Sequence, residues 1–164
     1  MGFLFQTRLD AMFGSALAAV ALAIAIVDID RFEIPDAASG LMFVLGLGWV
    51  LLSAEDGGNT VLGALLRSGT VAGALYTIRA TYYSIRGFDG LGLGDVKLAA
   101  AGAPWLSWSA LPMALLIAVS AAFILIAAQF VTGSRRIEAN AAVPLGAFLA
   151  PAIWLAWFAS TGTV

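Results

Sequence analysis

The chain has 164 residues, of which 62% are hydrophobic and 11% charged, and its mean hydropathy is +0.98. A soluble domain carries about a quarter charged residues, so this is the composition of an integral membrane protein. Neither cysteine nor histidine occurs, which excludes disulfides, Cys/His zinc sites and Ser-His or Cys-His nucleophiles, and the net charge of −2 offers no basic field for nucleic acid.

The length suits one helical bundle, with residues 1–164 as a single membrane domain and no room for a second soluble one. The predicted fold class is all-α, a polytopic membrane bundle of about six transmembrane helices. The first apolar segment covers about Ala11–Val27; 17 residues rise about 26 Å, most of the hydrocarbon core. Arg8 and the Ala-x-Ala triplets give it some signal-peptide character, but its length and the comparable segments after it read as a retained span ending on Asp28.

The second segment, about Ala37–Ala54, follows Pro35-Asp36, where Pro disfavours helix in the preceding residue and Asp36 can cap the next helix. Glu55-Asp-Gly-Gly-Asn59 reads as a polar turn. The third segment, about Thr60–Tyr82, is interrupted by Arg67 and Arg79. Its Gly63, Gly69 and Gly73 are spaced to allow close helix packing in lipid, and Arg67 reads as a packing or snorkelling residue.

The fourth segment, Val96 to about Leu106, is short for a span and reads as short, tilted or re-entrant. A Trp-rich stretch with Pro104, Trp105 and Trp108 follows, predicted to lie at the interface. The fifth and sixth segments, about Ala110–Val131 and Ala142–Ala159, flank the polar connection Gly133-Ser-Arg-Arg-Ile-Glu138. Trp154 and Trp157 suit an interfacial belt.

With the N-terminus outside, the inner connections and their edges hold Arg31, Arg79, Arg86, Lys97, Arg135 and Arg136 against Arg8 and Arg67 outside. The positive-inside rule supports that orientation. Helix parity then puts the end of the first segment and the start of the fourth on one cytoplasmic face. Two acidic patches could therefore meet there: Asp28-Ile-Asp-Arg-Phe-Glu-Ile-Pro-Asp36 and Gly90-Leu-Gly-Leu-Gly-Asp95-Val-Lys97.

Asp28 sits where a negative charge meets the negative end of a helix dipole, a local violation of the kind expected at functional sites. Asp95 reads either as an N-cap with Lys97 as countercharge or as a carboxylate aimed by Gly92 and Gly94, which permit close backbone approach and positive φ. Two carboxylates brought together share a proton, and such a pair can activate water without metal or cofactor.

These motifs resemble those of the type IV prepilin leader peptidases, membrane aspartic proteases of the GxGD type, and most closely their short Tad-type form. Asp28 followed by Ile34-Pro-Asp36 looks like the first family motif, Gly92-Leu-Gly-Asp95-Val-Lys97 like the second, and Val143-Pro-Leu-Gly-Ala-Phe-Leu-Ala150 is similar to the apolar segment that opens the last helix. The resemblance covers nearly the whole chain.

It implies that Asp28 and Asp95 are the catalytic pair, that Gly92 and Gly94 shape the loop presenting Asp95, and that Lys97 tunes the site or meets lipid phosphate. It also implies an enzyme of the inner membrane that needs no cofactor and cuts a prepilin or pseudopilin with a basic leader and an apolar helix. Asp30, Glu33, Asp36 and Asp89 would attract that leader, or else be solvated loop acids with Asp36 as a cap. Larger family members carry an N-terminal extension with Cys motifs and methyltransferase activity; with neither here, peptidase activity alone is expected.

Two other readings stay open. A small transporter or proton-relay protein would also use paired acids, but distributed through the depth of the bundle. A catalytically inactive assembly subunit of a pilus or secretion system would keep the fold; an intact acid pair argues against it.

Overall fold

The computed structural model describes residues 2–53, 60–131 and 144–161. Within them the chain forms six helices: α1 (Gly2–Arg31), α2 (Asp36–Leu52), α3 (Val61–Arg86), α4 (Leu93–Gly102), α5 (Ala110–Val131) and α6 (Gly146–Thr161), with a 3-10 turn at Ala103–Trp105 after α4. The polar turn expected at residues 55–59, the connection at 133–138 and Val143 lie outside the described residues.

Three stretches, Arg8–Arg31, Val61–Arg86 and Ala110–Gln129, are long and apolar enough to cross a membrane, and α2 and α6 are shorter apolar helices. The fold is the expected all-α membrane bundle. The fourth segment does not span on its own: α4 has 10 residues, a rise of about 15 Å and half the hydrocarbon thickness. Half of it is nonetheless enclosed, with Val96, Leu98, Ala99, Ala101 and Gly102 buried.

Helix ends differ from the sequence reading in ways that local chemistry explains. α1 runs through Asp28 to Arg31 and stops at Phe32, whose N–H donates to the Asp28 carbonyl at 2.9 Å. α3 continues past Tyr82 to Arg86, where Gly87 (φ 75°) ends it in the left-handed conformation that glycine adopts without strain. At its start Thr60 is a true cap, its hydroxyl accepting the Gly63 N–H at 3.1 Å. α4 begins at Leu93 rather than Val96, with Gly92 as N-cap.

The core lies where α1, α2, α4 and α6 meet, and indole rings fill much of it. Trp49 and Trp105 stack at 6.0 Å between centroids, and Trp157 meets each of them edge-on at 5.8 Å. Trp105 and Trp157 were expected at the membrane interface; they are 1% and 2% exposed. The Trp105 indole N–H finds a buried partner in the Met42 carbonyl at 2.9 Å, and Gly46 leaves room for the ring, since a Cβ there would stand 2.7 Å from the indole nitrogen. Trp108, by contrast, is exposed. Asp10, near the start of α1, accepts the Trp49 indole N–H at 2.9 Å.

Arg67 does not snorkel. It is 3% exposed, and its Nε donates to the Ala103 carbonyl at 3.4 Å, so that α3 grips the turn that ends α4. Gly69 and Gly73, expected to admit a neighbouring helix, face open space, with nothing within 4 Å of a Cβ built on either. The close approaches between elements occur instead at glycines such as Gly14, against Trp157, Gly102, against Ile153, and Gly46, Gly94 and Gly146.

Candidate active site

An open cleft of about 1480 Å³ is formed by the α1–α2 junction, the α3–α4 loop, one side of α5 and the start of α6. Asp28 and Asp95 both line it. Each is fixed by a different helix-end effect.

Asp28 lies in the last turn of α1, 4% exposed, where the α1 dipole disfavours an anion. Compensation comes from α6: the Ala147 N–H donates to Asp28 Oδ2 at 2.8 Å. Residues 146 and 147 form the first turn of α6, whose free N–H groups and positive dipole end suit a carboxylate. Gly146 is needed for this approach, because a Cβ there would stand 3.0 Å from Asp28 Oδ2 and 2.6 Å from Ile34 Cδ1.

Asp95 is in the first turn of α4, three residues after the N-cap Gly92. A side chain at that position reaches back toward the cap N–H, as in half of a capping box. A Cβ on Gly92 would lie 2.9 Å from Asp95 Oδ2, so this glycine gives the carboxylate its place. Burial pushes the Asp95 carboxyl up, the nearby Asp28 charge pushes it further, and the Gly92 N–H works the other way; the outcome is about 6.

Gly92 and Gly94 do not serve through positive φ. Gly92 has φ −63°, and Gly87 is the one glycine with positive φ among the described residues. Gly94 acts by close approach: a Cβ on it would come within 3.3 Å of Ile34. Ile34 thus sits between the first turns of α4 and α6, touching the glycine of each. This residue of the Ile-Pro-Asp element is a spacer between the two helices that carry or hold the acids.

The remaining predicted site residues divide. Asp36 does not cap α2: Pro35 is the N-cap without a side-chain bond, and Asp36 accepts from Lys97 Nζ at 2.8 and 3.0 Å. Lys97 therefore ties the start of α2 to α4 at the rim of the cleft. Asp89 pairs with Arg79 Nη2 at 2.6 Å and also lines the cleft. Glu33 lines it and has no ion-pair partner among the described residues. Asp30 is outside the cleft lining, exposed and 3.9 Å from Arg31 Nε.

Sequence reasoning missed the role of the α6 start. Pro144 and Gly146 marked a helix beginning, but nothing in the spacing assigned its N–H groups to a carboxylate 119 residues away. Tyr82, Phe88 and Phe123 were also missed as cleft residues. Their signal was weak, since aromatic residues in an apolar chain read as core or lipid-facing.

Residues 15–127 match the type IV leader peptidase family. Among curated proteins, the chain is 32% identical over 160 residues to a prepilin leader peptidase/N-methyltransferase of Aeromonas salmonicida, covering 87% of this chain and 50% of that one. It is 33% identical over 144 residues to the protein of that name in Aeromonas hydrophila (84% and 46%), and 34% identical over 151 residues to that of Burkholderia pseudomallei (90% and 46%). The chain spans about half the length of these curated relatives. No solved structure matches it. With its apolar spanning helices and this match over most of its length, the chain is an integral membrane protein that belongs to the type IV leader peptidase family.

Proposed function

We propose that this protein is an aspartic endopeptidase that removes the leader of prepilin-type proteins, with Asp28 and Asp95 as its two catalytic groups. The observation that carries the reading is the pair of carboxylates facing one cleft, one held by the first turn of α6 and the other raised to about 6 by burial and its neighbour.

The roles follow from the two environments. Asp28, facing the α6 N–H donors, is suited to the ionised state and acts as general base; Asp95 holds the shared proton and acts as general acid. Asp28 takes a proton from water, the oxygen attacks the peptide carbonyl carbon, and Asp95 protonates the carbonyl oxygen. On collapse the C–N bond breaks, the leaving nitrogen takes the proton from Asp28, and the hydroxyl returns its proton to Asp95. Atoms and charge balance with water as the only co-reactant.

The cleft is placed at the cytoplasmic face of the inner membrane, with the N-terminus periplasmic, as the distribution of Lys and Arg supports. A substrate would keep its apolar helix in the bilayer and its basic leader outside it. Glu33 is the acid best placed to attract that leader, since Asp36 and Asp89 are engaged by Lys97 and Arg79. One domain over residues 1–164 would hold the activity.

The test is co-expression of the protein, or its D28N or D95N variant, with a prepilin carrying a basic leader, followed by a mobility shift on a gel. Each variant is expected to insert normally and leave the precursor uncut. Full processing by either variant removes the two-carboxylate mechanism.

A further inference from the structure

Phe32 follows the last residue of α1 with φ 54°, in the left-handed region, and is the one non-glycine residue with positive φ among the described residues. Helices commonly give this position to glycine, as α3 does at Gly87. A bulky side chain there is strained, and strain of this kind persists where function selects it. Burial does not offset it, because Phe32 is 51% exposed. The residue lines the cleft one turn beyond Asp28, together with Phe88 of the α3–α4 loop and Phe123 of α5, which are 56% and 68% exposed.

We propose that Phe32 is a substrate-contact residue, whose ring holds an apolar side chain of the peptide beside the bond presented to Asp28. The inference rests on the peptidase reading and extends it to a specificity element. The left-handed turn at Phe32 ends α1 directly after the acid-bearing turn and brings an aromatic side chain to the cleft rim. A glycine would end the helix with less strain and leave the rim bare. An aromatic residue that merely anchored the chain at the membrane interface would leave peptide recognition unchanged when removed.

The experiment uses the full chain in detergent with a synthetic peptide composed of a basic leader and an apolar helix. Cleavage kinetics, peptide Kd and Tm are measured for the wild type and for F32G, F32A and F32L. F32G is expected to raise Tm by about 2–4 °C through relief of strain, while KM and Kd rise at least tenfold, more than kcat falls. F32A is expected to weaken binding similarly without the gain in Tm, and F32L to bring KM back within about threefold of wild type.

Wild-type KM and Kd in F32G and F32A overturn the inference and leave the peptidase reading standing, as does a fall in Tm for F32G with peptide affinity unchanged. If the wild type does not cut the peptide, the peptidase reading fails. The Kd comparison then still decides the contact, equal values for wild type and F32A overturning it.

Discussion

Asp28 and Ala147, 119 residues apart, are joined by one hydrogen bond of 2.8 Å from the first turn of α6 to the last turn of α1. Two helix ends of opposite polarity meet at a carboxylate, so an anion that α1 alone would disfavour is held by α6. Ala147 is at the second position of its helix, where proline is tolerated. A147P therefore deletes the donor without breaking the helix. A charge-assisted bond contributes about 1.5–3 kcal/mol, so cleavage is expected to fall about tenfold to a hundredfold at unchanged helix content, read by circular dichroism beside the cleavage assay. Wild-type activity in A147P would dismiss this bond as a support of Asp28.

Gly146 has a sharper steric requirement. A methyl group there meets Ile34 at 2.6 Å and Asp28 Oδ2 at 3.0 Å, so G146A is expected to cost about 1–3 kcal/mol by overpacking and to displace the acid. The double variant I34A/G146A restores the space and should recover part of the lost stability. The coupling is measured by thermal unfolding of the single and double variants; strict additivity would show that Ile34 is not the residue in the way.

Asp95 predicts its own pH dependence. Its folded-state pKa of about 6 lies above the ordinary carboxyl value of 3.8. The folded state thus binds the proton more tightly than the unfolded chain, and this contribution to stability is complete below about 4 and lost as pH rises through about 6. The difference in Tm between D95N and wild type should therefore shift in favour of D95N from pH 4 to pH 7 and level off above. With Asp95 as the acid, kcat/KM of the free enzyme falls above about pH 6. A profile that rises through that range would exchange the roles of the two carboxylates.

Lys97 and Asp36 form an exposed pair, their side chains 47% and 74% accessible. Such pairs contribute at most about 1 kcal/mol, and K97M is expected to lower Tm by less than about 4 °C. A much larger loss would make the bridge between α2 and α4 a structural necessity. A large fall in cleavage with little change in Tm would locate the role of Lys97 in the chemistry.

The helical class, the order of the six segments and the convergence of the two acidic patches were legible because hydrophobic runs report on burial and helix parity brings the end of the first segment and the start of the fourth to one end of the bundle. What remained illegible depended on packing partners. Trp105 and Trp157 read as interfacial because indoles favour that zone, yet glycines on other helices open buried niches for them. Arg67 read as a packing or snorkelling side chain, and it was the buried carbonyl at the end of α4 that decided for packing. The glycines of the second motif read as permitting close approach or positive φ; close approach is what is used, and the bulk that requires it at Gly94 belongs to Ile34, a residue on another element.

The short α4 has a consequence for the membrane as an insulator. The proposed hydrolysis needs water, and a helix only half as long as the hydrocarbon core is thick could leave an aqueous path across the bilayer. Past the end of α4 the buried, stacked and edge-on rings of Trp49, Trp105 and Trp157 fill the space between the helices, with Trp105 tied to Met42. With the cleft opening at one membrane face, as proposed, this aromatic plug would end it short of the other face and keep the bundle from leaking ions.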